Sequence, residues 1–180
     1  MITLYLGSMK SSKTSRLIEV LDKAQFRWGI KSVFVRPQID DRSFISRYDN
    51  QIKSDILVCK KLNDIIEKLK NYHIICIDEG QFFEDLGPIC NELSLKDIEI
   101  YIAALNGDSD MKPWESISNC LPYVDEIYRL SGVCENCGKL RTTFSFHEGI
   151  KSKIEIGDEK YKIYCRKCWN EKSNADFRYL

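Results

Sequence analysis

The chain has 180 residues, 43% of them hydrophobic, and 27 Lys and Arg balance 27 Asp and Glu to a formal net charge of +0. This is enough apolar content for a packed core and too much for a disordered chain. The balanced charge argues against a non-specific nucleic-acid coat, whose affinity comes from neutralising phosphates, and no apolar run is long enough to span a bilayer.

Met1 to Gly7 lacks the basic start and long apolar stretch of a signal peptide. The expectation is therefore a cytoplasmic protein whose eight cysteines are reduced or metal-bound. Ile2 to Leu6 reads as a strand, followed by a helix over 13–28 with Leu17, Val20, Leu21 and Ala24 at helical spacing. Ser32 to Val35 and Asp55 to Cys59 read as the second and third strands. Leu62, Ile65, Ile66 and Leu69 recur at i, i+3, i+4 and i+7 and predict a helix. His73 to Ile77 is a fourth strand, apolar on both faces as a buried parallel strand should be. A helix over 82–94, a strand from Glu99 to Ala104, a helix starting at Pro113 and a strand from Asp125 to Leu130 complete the series. Alternating strands and helices mean an α/β fold with a parallel sheet covered on both sides. The periodicity breaks after 133, which divides the chain into residues 1–133 and a small C-terminal domain over 134–180.

Three groups of residues carry chemistry. The first strand runs into Gly7-Ser8-Met9-Lys10-Ser11-Ser12-Lys13-Thr14 and then a helix, the setting of a phosphate-binding (P-loop) motif with Ser12 in place of its second glycine. Backbone N–H groups cradle anionic oxygens there, Lys13 reaches the terminal phosphates, and Thr14 offers a hydroxyl to Mg²⁺. A Cβ at Ser12 narrows the space beside the phosphates and penalises a left-handed backbone. The fourth strand ends in Asp78-Glu79. Ligands of open parallel sheets sit at the carboxyl ends of strands, so Asp78 is placed to orient Mg²⁺ and Glu79 to act as a base. Finally, Cys134-x2-Cys137 and Cys165-x2-Cys168, separated by 27 residues, offer four thiolates for a structural, tetrahedral Zn²⁺. Cys59, Cys76, Cys90 and Cys120 are scattered singly and read as plain thiols.

Taken together, these groups resemble the type II thymidine kinases, P-loop enzymes with a zinc-bound lasso. The resemblance runs from Leu4 to about Trp169. Its most specific element is Asp78-Glu79-Gly80-Gln81-Phe82-Phe83, which matches the family hexapeptide completely. Gly7 to Thr14 is similar to the family's Gly-Pro-Met-Phe-Ser-Gly-Lys-Ser loop, and Asp40-Asp41-Arg42 to its Asp-x-Arg segment. Ala104 to Asp108 with Lys112-Pro113-Trp114, and Ile156 to Tyr161 followed by Cys165 to Trp169, match two further segments. The resemblance implies transfer of a phosphoryl group from ATP to the 5′-hydroxyl of thymidine, with ATP, Mg²⁺ and structural Zn²⁺ as cofactors. It implies Glu79 as general base and a phosphate site made of Gly7, Ser8, Met9, Lys10, Ser11, Ser12, Lys13, Thr14 and Arg42. Mg²⁺ falls to Thr14 and Asp78. The nucleoside pocket comprises Met9, Phe82, Leu105, Trp114 and Tyr161, with the segment from about Phe146 to Tyr161 closing over the base. It also implies nucleoside and ATP as partners, neither nucleic acid nor membrane, and a homo-oligomer, commonly a tetramer.

The alternatives are a kinase for another pyrimidine deoxynucleoside and a catalytically weakened nucleotide-binding relative. A zinc-ribbon nucleic-acid module fits the zero net charge and the long sheet region poorly. Besides Ser12, three positions depart from the family pattern. Asn106 replaces an aspartate, and Ser109 replaces a phenylalanine that stacks on the base. Phe144-Ser145-Phe146 aligns with Thr-x-Arg, in a register that also admits Thr142 or Thr143. A ring at Phe144 is expected to crowd the 5-position of the base.

Overall fold

The computed structural model describes residues 1–40, 54–148 and 160–176, with side chains through 173. Six strands form one sheet: β1 (Ile2–Gly7), β2 (Ser32–Pro37), β3 (Asp55–Cys59), β4 (Ile74–Ile77), β5 (Glu99–Leu105) and β6 (Glu126–Arg129). Their order is β3-β2-β4-β5-β1-β6 and every pairing is parallel. Parallel strands need covered faces, and the sequence supplies both covers. Leu17, Leu21 and Ala24 of α1 (Lys13–Ala24) pack with Phe34, Ile74, Cys76 and Ala103 on one face. On the other, Leu4, Val35, Ile75, Ile77, Ile100 and Ile102 meet Leu86, Ile89 and Leu93 of α3 (Leu86–Ser94), with the short α2 (Ile66–Leu69) and α4 (Glu115–Cys120) alongside. Among the described residues no helix is long and apolar enough to cross a membrane.

Four helix starts or ends differ from expectation. The first helix stops at Ala24, where its apolar face ends, and Phe26 and Trp28 are exposed beyond it. The stretch over 82–94 starts later, at Leu86, because residues 80–82 form a 3₁₀ turn and Phe83 is extended and buried in the core. Pro113 precedes its helix instead of opening it. Trp114 keeps an extended backbone (φ −80°, ψ 123°) while its indole packs edge-on against Phe82, so the helix begins at Glu115. A 3₁₀ turn over Leu62–Ile65 likewise leads into α2.

Two antiparallel pairs follow the sheet. β7 (Gly132–Val133) pairs with β8 (Leu140–Thr142), and β9 (Phe144–His147) with β10 (Tyr161–Tyr164). The helix α5 (Arg166–Asp176) follows. A small core here consists of Cys134, Phe146, Tyr164, Cys165 and Cys168 with Trp169 against them.

Candidate active site and metal centre

The loop over 8–12 leaves the carboxyl end of β1 and enters α1. Gly7 is required there: a Cβ would meet Ser11 Oγ at 2.3 Å and the Leu130 carbonyl at 2.8 Å. The Ser8 carbonyl accepts hydrogen bonds from Ser11 Oγ (2.8 Å) and Lys13 Nζ (2.7 Å), which folds the loop back over its own lysine. Lys13 is accordingly buried. Lys10 and Ser12 are both left-handed, at φ 58° and 64°, so the conformation that a Cβ penalises is present at Ser12. Its side chain is exposed and lines a cleft of about 590 Å³ with Lys10, Gly132, Val133 and Arg141.

Two strands away, β4 delivers the acidic pair. Asp78 is 2% exposed and accepts from Thr14 Oγ1 at 3.0 and 3.2 Å. This bond joins the loop to the acidic strand end. A hydroxyl and a carboxylate so placed are the hard oxygen donors that suit Mg²⁺. Glu79 has a left-handed backbone (φ 50°, ψ 44°) just past the carboxyl end of β4, a strained state for a non-glycine residue. Its Oε2 accepts from Gln81 Nε2 at 2.7 Å. Gln81 is itself fixed, its Oε1 accepting from the Leu105 N–H (3.1 Å) and its carbonyl from Ser116 Oγ (2.7 Å). Gln81 thus orients Glu79 from β5 and α4, a role that its place in the hexapeptide did not reveal.

Phe82 and Trp114 stand edge to face, ring centres 5.7 Å apart, and Leu105 ends β5 opposite Gly7. The Tyr161 ring packs edge-on to His147 at 5.1 Å. Asp40 is buried, whereas Arg42 and most of the segment between Phe146 and Tyr161 lie outside the described residues. Asn106 donates from Nδ2 to the Thr143 carbonyl (3.1 Å), tying the end of β5 to the C-terminal unit. Nothing in the structure explains Ser109.

The Phe144 ring lies under the Arg166 guanidinium, 4.7 Å from the ring centre. Side chains alternate along a strand, so Phe144 and Phe146 share one face of β9 and Ser145 takes the other. Ser145 Oγ accepts the Met9 N–H at 3.3 Å. A small polar residue, Ser145, thus stands beside Met9.

The four cysteines come together as the spacing requires. Their sulfurs all lie within 4.8 Å of one another, with Cys137 Sγ and Cys165 Sγ 3.8 Å apart. Zn–S bonds of about 2.3 Å in a tetrahedron demand S···S separations of about 3.8 Å, so the donor set fits zinc. Desolvation pushes the Cys134 thiol up, but N–H groups of Cys165, Cys137 and Asn136 outweigh it and bring it to about 6. A low thiol pKa favours the ligating thiolate. Asn136 Nδ2 also donates to Cys168 Sγ (3.3 Å), a second layer around the sulfurs. By contrast, burial pushes Cys59 and Cys120 up to about 11 and raises Cys76 and Cys90 as well. All four are buried, as plain core thiols should be.

A family model described as thymidine kinase matches residues 1–169. Thymidine kinases of vaccinia virus (strain Ankara) and variola virus (isolate Human/India/Ind3/1967) are each 32% identical to this chain over 171 residues, covering 93% of it and 96% of the relative. That of monkeypox virus (strain Zaire-96-I-16) is 31% identical with the same coverage.

Proposed function

Since the chain belongs to the thymidine kinase family, we propose that it transfers the terminal phosphoryl group of ATP to the 5′-hydroxyl of thymidine, giving dTMP. The observation that carries this reading is the Thr14–Asp78 hydrogen bond. It brings the phosphate loop against the strand end whose next residue is Glu79, itself three residues before Phe82 of the Phe82–Trp114 pair. The 5′-oxygen attacks the terminal phosphorus, the bond to the β,γ-bridging oxygen breaks, and Glu79 takes the hydroxyl proton. Gln81 holds the Glu79 carboxylate in place for that transfer. Loop N–H groups and Lys13 bind the phosphates, and Arg42 adds charge to the transferring group. Thr14 and Asp78 would hold Mg²⁺, which supplies charge neutralisation on the β- and γ-oxygens. Met9, Phe82, Leu105, Trp114 and Tyr161 form the nucleoside pocket.

Zinc at Cys134, Cys137, Cys165 and Cys168 has no catalytic part, because four thiolates leave no open position. We treat 1–133 as the nucleotide-binding domain and 134–180 as the zinc-binding lasso domain. Cytoplasmic placement and homo-oligomeric, tetrameric assembly belong to the same proposal. Light scattering tests the assembly. The decisive assay follows labelled phosphate from ATP–Mg²⁺ to a panel of deoxynucleosides. Thymidine should be the preferred acceptor, and absence of transfer to any pyrimidine deoxynucleoside would overturn the reading.

A further inference from the structure

Lys10 sits at the tip of the phosphate loop, yet its ammonium points away from it. Nζ donates to Glu135 Oε1 and to the Tyr161 carbonyl, each at 3.0 Å. These partners lie 125 and 151 residues along the chain. Glu135 follows the first zinc-ligand cysteine, and Tyr161 is the first residue of β10. The Glu135 carboxylate is a junction: Oε1 also accepts the Ile163 N–H at 3.1 Å, and Oε2 lies 3.4 Å from Lys162 Nζ. Its own N–H donates to the Ile163 carbonyl at 2.9 Å. The Lys10 and Glu135 side chains are only 21% and 28% exposed, so water competes for this pair less than at an open surface. Lys10 also holds a left-handed backbone (φ 58°) that non-glycine residues adopt only at a cost. The family loop carries phenylalanine here, which can make neither bond.

We propose that Lys10 is a positioning residue that latches the phosphate loop to β10 and the first cysteine knuckle, holding Tyr161 in register with Met9, and that it does not bind phosphate. The proposal rests on the reading of Met9 and Tyr161 as nucleoside-pocket residues. It reassigns the loop lysine whose ammonium is held by the Glu135 carboxylate and the Tyr161 carbonyl, and leaves phosphate neutralisation to Lys13.

The test uses full-length, zinc-loaded protein as wild type, Lys10→Met, Lys10→Arg, Glu135→Gln and the Lys10→Met/Glu135→Gln double variant, each checked for zinc content and melting temperature. Three quantities are measured: thymidine KM, the dissociation constant of a non-hydrolysable ATP analogue with Mg²⁺, and amide hydrogen exchange over residues 161–164. A latch predicts that Lys10→Met and Glu135→Gln each raise thymidine KM by about three- to tenfold, speed exchange in β10 and leave analogue binding unchanged. The double variant should be no worse than either single one, since both cut the same link, and Lys10→Arg should restore wild-type values. If Lys10→Met weakens analogue binding and Glu135→Gln does not, Lys10 is a phosphate ligand and the proposal is wrong. Unchanged exchange in β10 in both single variants also overturns it. Should the wild type fail to phosphorylate thymidine, the proposed activity falls, while hydrogen exchange still decides whether the latch exists.

Discussion

The carboxyl end of the parallel sheet and the four-cysteine unit beside it hold their side chains in place by different means. Thr14 lies in the first turn of α1, Asp78 and Glu79 directly follow β4, and the sheet residues Ile75, Ile77 and Ile102 are 0% exposed. Apolar burial of that kind contributes roughly 1.5–3 kcal/mol per large side chain and needs no ligand. The C-terminal unit has five buried core residues in one cluster, and three of them are cysteines. A core so small does not hold four short strands by itself. The phosphate-loop and acidic residues are thus built into the body of the protein, whereas Ser145, Tyr161 and Glu135 belong to a unit whose four cysteines could hold a metal ion.

That contrast breaks down first if metal removal is harmless. Replacing Cys165 with Ser, or stripping the metal with a chelator, should release one Zn²⁺ per chain and expose the amides of β8, β9 and β10 to exchange. Binding free energies of about 10–16 kcal/mol are typical of structural zinc in small domains, so this is the largest effect expected. The sheet amides of β1, β4 and β5 should stay protected. Freshly purified protein without zinc, or β9 and β10 equally protected without it, would rule the metal centre out.

Glu79→Gln tests the other region. The side chain keeps its size and its hydrogen-bonding reach but loses its basicity, so kcat should fall by about 10²- to 10⁴-fold with ATP binding and zinc retained. Turnover near the wild-type level would remove Glu79 from the proposed chemistry. A smaller effect sharpens the boundary between the regions. With Ser145 rather than Phe144 beside Met9, kcat/KM should favour thymidine over deoxyuridine by about 10- to 200-fold, the ordinary value of one methyl group in an apolar pocket. Ser145→Phe should erase the preference, and a 5-halogenated analogue should serve the wild type well. A wild type indifferent to the methyl group would show that Ser145 does not face the base.

The smallest effect concerns Ser12. A left-handed non-glycine residue costs about 1–2 kcal/mol, partly offset by the greater chain entropy that glycine loses on folding. Ser12→Gly should therefore stabilise the protein by about 0.5–1 kcal/mol, and tighten ATP binding as well. Thermal unfolding and titration with the ATP analogue measure the two. A less stable or weaker-binding variant would show that the serine hydroxyl contributes something the strain argument omits.

The inner sheet strands were legible as short, largely buried apolar runs, and the more exposed edge strands β3 and β6 by the apolar residues they carry between polar flanks. Asp55 to Cys59 was found to the residue, and the others within one or two positions. β7 to β10 were not legible. They run two to four residues, and their neighbours are chosen by the cysteines, so no apolar period announces them. The same shortness leaves the family register at Phe144-Ser145-Phe146 open by a residue or two. Gln81 and the Lys10–Glu135 pair were invisible for another reason. Their partners lie 24 and 125 residues away, and only the folded chain brings those partners within reach.

The place of β1 within the sheet has a consequence for how the chain is made. Although it is made before the other five strands of its sheet, its neighbours are β5 and β6, and the Ile2 N–H is held by Asp125 at 2.6 Å. At about 5–20 residues per second, the strand that carries the phosphate loop waits several seconds for residues 99 to 129 to be synthesised. Pairings so distant along the chain are slow to close. A nascent chain that stops before residue 99 already contains the whole Gly7 to Thr14 loop, and lacks both strands that hold it.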